Sequence, residues 1–82
     1  MAMHYNRYGL EMNGFRLVAH YYCISKGEPR LNIDCYTNGT EYIVRHWRTG
    51  KRAWDSVYTD KEEANLKVKD FFERYSFHKR VF

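Results

Sequence analysis

The sequence predicts an α+β domain: a four-stranded antiparallel β-meander with one C-terminal α-helix packed on one face. Three observations carry that prediction. Residues 15–58 contain four short stretches in which apolar and polar residues alternate, the period of a strand with one buried face. Glycine-bearing turn signals separate them, Asn38-Gly39 being the strongest. From Thr59 the period becomes helical, and acids crowd the start. A chain of 82 residues has room for one core, so residues 1–82 are read as a single domain. Its parts are a loosely packed arm (1–14), the sheet (15–58), the helix (59–76) and a basic tail (77–82).

In "FRLVAHYYCI" (15–24), Phe15, Leu17, Ala19, Tyr21 and Cys23 point to the core, and Arg16, Val18, His20 and Tyr22 point away. "LNIDCY" (31–36) repeats the pattern, with Leu31, Ile33 and Cys35 inside. The Asn38-Gly39 pair predicts a two-residue type I′ hairpin closed by Thr37 and Thr40. That register sets Cys35 opposite Tyr42, Ile33 opposite Val44, and Leu31 opposite His46. "EYIVRHWR" (41–48) then sends Tyr42, Val44 and His46 inward, and Ile43, Arg45 and Trp47 outward.

A second hairpin through Thr49-Gly50 leads to "RAWDSVY" (52–58). A loop of two or four residues there puts Ala53, Asp55 and Val57 inside, and Arg52, Trp54, Ser56 and Tyr58 outside. The four-residue loop makes Trp47 and Trp54 direct cross-strand partners. In "TDKEEANLKVKDFFERY" (59–75), Thr59 and Glu62 read as a capping box. Ala64, Val68, Phe71 and Tyr75 form the apolar stripe, with Phe72 at its edge. Leu66 falls on the charged side, where Phe77, Val81 and Phe82 are the residues available to cover it.

Composition excludes several classes. Fifteen aromatic residues (2 Trp, 8 Tyr, 5 Phe) supply a core without disulfides. No apolar leader or membrane-length run is visible, so the expectation is a cytoplasmic protein with Cys23 and Cys35 as thiols. CxxC, HxH and HxxxH spacings are absent, so no metal and no cofactor is expected. "TGKR" lacks the rest of a P-loop. Ser25 or Ser56 with His20 lacks any triad signature, and His46 facing Asp55 reads as the polar end of a core. The expectation is therefore no enzyme.

Charge and aromatics point elsewhere. The net charge is +4, and residues 45–52 alone carry Arg45, Arg48, Lys51 and Arg52 with no acid. The face away from the helix is expected to carry Arg16, His20, Tyr22, Tyr36, Ile43, Arg45, Trp47, Arg52, Trp54 and Tyr58, with Arg30 across from Trp47. Arginines interleaved with aromatics suit a surface that stacks bases and follows phosphates, in DNA or RNA. Arg45, Arg48, Lys51 and Arg52 are the phosphate candidates, and Trp47 and Trp54 the stacking or wedging ones. Arg16, Arg30, Tyr36, Lys79 and Arg80 are secondary. The same residues equally brace a hairpin through cross-strand pairs, form a protein hot spot, or bury themselves in a homodimer through the outer face.

The run "NGTEYIVRHWRTGKRAWDSVYTDKEEANLKVKDFF" (38–72) resembles the strand–strand–helix core of arm-type DNA-binding domains of tyrosine integrases and, in outline, plant-type AP2 domains. In those families basic and aromatic strand residues enter the major groove. The resemblance implies that role for Arg45, Trp47, Arg52 and Trp54, with "YTDKEEA" (58–64) as the hinge into the packing helix. An extra N-terminal strand and the lack of a recombinase catalytic segment depart from that pattern. In general style the chain also resembles small phage inhibitors, including anti-CRISPR proteins, which present a bare sheet with one helix. That likeness implies a protein partner, a host nucleoprotein or defence complex, and carries over no residue.

Overall fold

Alternation along 15–58 and the helical stripe after it are realised as an antiparallel sheet with the C-terminal helix packed on it. The computed structural model describes residues 6–24, 26–75 and 78–80, the last three as backbone. In chain order the elements are α1 (Arg7–Met12), β1 (Arg16–Cys23), β2 (Leu31–Thr37), β3 (Tyr42–Arg48), β4 (Trp54–Tyr58), α2 (Lys61–Arg74) and β5 (His78–Arg80). The sheet order is β4-β3-β2-β1-β5, antiparallel throughout. Its first four strands are the expected meander. The segment expected as a basic tail instead contains β5, paired with β1.

Both sides of the sheet carry a core. On the α2 side, Ile33 and Val44 pack against Ala64 and Phe71, with Tyr21, Cys35, Tyr42, Tyr58 and Val68 around them. On the other side, Leu10 from α1 packs against Phe15, Tyr36 and Ile43, and Leu17 joins them. Residues 6–14, expected as a loose arm, therefore belong to the fold. Asn6 caps α1 by accepting from the Gly9 N–H at 2.8 Å. So short a helix is unstable alone and is held by the burial of Leu10. The cap of α2 is Asp60 rather than Thr59: its carboxylate accepts from the Glu62 N–H at 3.0 Å. Phe72 and Tyr75 stay largely exposed, and Phe72 meets the Tyr21 ring edge-on at 4.8 Å. Leu66 is exposed as expected, whereas Phe77, Val81 and Phe82 lie outside the described residues.

Three local features move residues from their expected places. First, the β1–β2 register shifts between Leu17 and Ala19. An extra residue in a strand reverses the face of everything before it. Phe15 and Leu17 accordingly join the α1 core, and Arg16 turns to the α2 side. Second, the Asn38-Gly39 turn is wider than type I′. Thr37 pairs with Tyr42, only Gly39 takes a positive φ, and the Asn38 side chain accepts from the N–H groups of Thr40 and Glu41. Cys35 therefore pairs with Val44, Ile33 with His46, and Leu31 with Arg48. The slip is by two residues, so every side chain keeps its face.

Third, the β3–β4 loop is odd. His46 pairs with Trp54 and Tyr42 with Tyr58. Extending that register sets Arg52 opposite Arg48 and leaves Thr49, Gly50 and Lys51 as the loop, with Lys51 N–H donating to the Arg48 carbonyl at 2.9 Å. Gly50 supplies the positive φ such a loop needs. An odd loop inverts the expected faces of β4. Trp54, Ser56 and Tyr58 lie on the α2 side, Asp55 and Val57 on the α1 side, and Trp47 and Trp54 are on opposite faces of the sheet.

Cys23 and Cys35 are free thiols. Burial, with the Asp34 charge adding, pushes the Cys35 thiol pKa up to about 12. At pH 8 roughly one such thiol in ten thousand is ionised, so Cys35 should resist Ellman's reagent until urea unfolds the chain. Peptide mapping after brief labelling checks this; rapid modification of Cys35 in folded protein would contradict its placement.

Candidate functional site

Register across the sheet lines up His20 (β1), Asp34 (β2), Arg45 (β3) and Asp55 (β4) on the α1 side. All four side chains are well buried, and carboxylates alternate with nitrogen bases along the row. Arg45 donates from Nε to Asp55 Oδ1 at 2.7 Å and from Nη2 to Oδ2 at 2.9 Å. That bidentate bond, opposed by desolvation, raises the Arg45 pKa above its already high ordinary value. Asp34 bonds His20 Nδ1 through one oxygen and accepts from Trp47 Nε1 through the other at 2.8 Å. Buried charges persist when paired in this way. Arg45 and Trp47, expected on an open binding face, are thus committed to the interior, and Tyr36 is buried under α1.

The same row bears on catalysis. Ser56, Cys23 and Cys35 lie on the α2 side, so none of these potential nucleophiles meets His20; Ser25 lies outside the described residues. His46 and Asp55 are also on opposite faces, which corrects their expected pairing. The His46 ring packs 5.1 Å from Phe71. Burial, with the Lys67 charge adding, lowers its pKa from the usual histidine range. Among the described residues, no three His, Cys, Asp or Glu side chains converge to hold a metal ion.

Exposed basic and aromatic groups gather instead at the β3–β4 hairpin end, on the α2 side. Trp54 is 62% exposed. The Arg52 guanidinium lies 5.9 Å from its ring centroid, and Lys51 is exposed beside it. Arg48 is steadied by donating to the Pro29 carbonyl at 2.8 Å and by an ion pair with Glu28 at 3.4 Å. Together with Leu31, His46 and Trp47 these residues line an open cleft of about 200 Å³ with no acid in its wall.

The secondary candidates scatter. Arg30 lies 5.2 Å from the Tyr22 ring centroid, and Asn32 rather than Arg30 pairs with Trp47. Arg16 sits on the α2 side, at a cleft of about 300 Å³ between sheet and helix. Lys79 and Arg80 pair through their backbone with Tyr21 and His20, and their side chains lie outside the described residues. The sequence reading missed the buried row, although its signal was visible: Asp34, Arg45 and Asp55 occupy mid-strand positions on successive strands. No helix of the described residues is long and apolar enough to cross a membrane. Comparison of the chain with protein-family models, curated proteins and solved structures gives no match.

Proposed function

We propose that this protein is a non-enzymatic, cytoplasmic nucleic-acid-binding module whose contact surface is the end of the β3–β4 hairpin. The observation supporting this most is Trp54: a largely exposed indole with a guanidinium over it, in an acid-free cleft beside Lys51 and Arg48. An exposed indole offers a stacking face to any base, worth about 1–3 kcal/mol per base. Lys51, Arg52 and Arg48 take phosphates, and Arg52 keeps the cation near the stacked ring. A shallow cleft with one platform suits a single strand, whose bases are free to stack, better than a duplex.

The likeness of residues 38–72 to integrase arm-type domains supports nucleic acid as the partner and shifts the contact. In that family the strand residues read the groove, whereas here Arg45 and Trp47 serve the interior, leaving the loop end.

Titration with labelled single- and double-stranded oligonucleotides at two salt concentrations tests the proposal. Saturable single-strand binding that weakens with salt is expected. Trp54→Ala should lower affinity roughly 5- to 100-fold. Lys51→Ala and Arg52→Ala should each reduce the salt dependence by about one released counterion. Quenching of tryptophan emission should fall sharply in Trp54→Ala, because Trp54 is the exposed indole while Trp47 is tied to Asp34. Variants that bind like the parent, or a flat titration of folded protein at low salt, would defeat this reading and favour a protein partner docked on the Trp54–Arg52 pair.

A further inference from the structure

We infer that two copies of this chain pair through the β4 edge, strand against antiparallel strand, with Ser56 on the two-fold axis. β4 ends the sheet, and among the described residues only β3 bonds to it. Proteins ordinarily guard such an edge with lysine, proline, a bulge or an inward charge that resists burial, or keep it very short. Trp54–Tyr58 has no proline or lysine, and its register with β3 runs without a shift. Its one charge, Asp55, is turned toward Arg45 and bonded there, so it repels nothing at the edge. The opposite edge is the three-residue β5, which is protected by its shortness.

The strand is complementary to itself. With Ser56 opposite the partner's Ser56, all five residues of β4 overlap. Trp54 then faces the partner's Tyr58 on the α2 side, and Asp55 faces the partner's Val57 on the α1 side. No like charges meet, and two aromatic pairs form, one on each side of the axis. Two residues past each end of the strand, Arg52 lies opposite the partner's Asp60, an ion pair that symmetry also doubles. Sliding by one pair in either direction shortens the overlap, and one such slide sets Asp55 against its own copy. The product is a continuous ten-stranded sheet with both α2 helices on one side. The pairing does not rest on nucleic-acid binding, but it engages Trp54 and Arg52, so a bound oligonucleotide should shift the equilibrium toward monomer.

Sedimentation equilibrium of the full chain over roughly 1 μM to 1 mM should show reversible monomer–dimer exchange and no larger species. Under mild oxidation, Ser56→Cys should form a disulfide-linked dimer, because the two thiols meet at the axis. Val57→Cys, whose copy is offset along the strand, should crosslink far less. Arg52→Glu should weaken the dimer about 2- to 30-fold. Adding Asp60→Asn, which keeps a good helix cap, should recover part of that loss. Circular dichroism melts confirm that each variant folds. A chain that stays monomeric throughout, or a dimer that crosslinks through Val57→Cys but not Ser56→Cys, would overturn the inference.

Discussion

Arg45→Ala is expected to destabilise the fold by about 3–5 kcal/mol, read from urea unfolding. The reason lies in what is left behind. The Arg45 and Asp55 side chains are 9% and 3% exposed, and two short bonds join them. Removing the guanidinium leaves a buried carboxylate beside Asp34 with no cation between them. Paired removal should behave differently: Arg45→Met with Asp55→Leu takes out both charges and keeps the volume, so most of the stability should return. If Arg45→Ala does not fold, the double variant still reports on the pair. A loss under about 1 kcal/mol in the single variant would show that water reaches Asp55 and that the row is not an interior feature.

Leu10→Ala should cost about 2–5 kcal/mol, or less if α1 undocks before the sheet melts. Leu10 is fully buried against Phe15, Tyr36 and Ile43 and is the one buried residue of α1. Without it a six-residue helix has no means of staying on the sheet. Hydrogen exchange should then quicken from Leu10 to Phe15, including the Phe15 N–H that donates to the Leu10 carbonyl. The exposed Met12 is the control, and Met12→Ala should stay within about 0.5 kcal/mol. Unchanged exchange in Leu10→Ala would mean that α1 is held by something other than this side chain.

Much of the fold was legible because period-two alternation reports faces directly. Ile33, Cys35, Tyr42 and Val44 lie on the helix side as the pattern requires, even though their register is two residues off. What was not legible depends on counting. A bulge at Val18 and a loop with an odd number of residues each reverse parity without altering the local pattern, so Leu17 and the whole of β4 were assigned to the wrong face. The short helix α1 gave little periodic signal, and β5 draws its pairing from β1 rather than from its own three residues.

The candidate site suffered from the same inversion. A face carrying Arg45, Trp47, Arg52 and Trp54 together required Trp47 and Trp54 on one side. Once β4 turns over, that set divides: Arg45 and Trp47 join Asp55 and Asp34 in the interior row, while Arg52 and Trp54 remain in solvent. Charge density along the chain located the hairpin correctly, but it could not separate cations that pair with buried acids from those that face water. Asp55 was the clue, because an acid in a strand otherwise read as core needs a cation opposite it.

The bidentate bond of Arg45 to Asp55 also constrains how the gene can change. A codon gained or lost among Thr49, Gly50 and Lys51 can be taken up by the loop, since loops of two to five residues all close hairpins, and Arg45 stays opposite Asp55. A codon gained or lost between Arg45 and Arg48, or between Arg52 and Asp55, falls inside the pairing and needs a bulge or a slip of β4 that turns Asp55 to the α2 side. Across descendants of this sequence the loop should therefore vary in length while the spacing from Arg45 to Arg48 and from Arg52 to Asp55 stays fixed, and a lineage that changes that spacing should also have replaced Arg45 and Asp55.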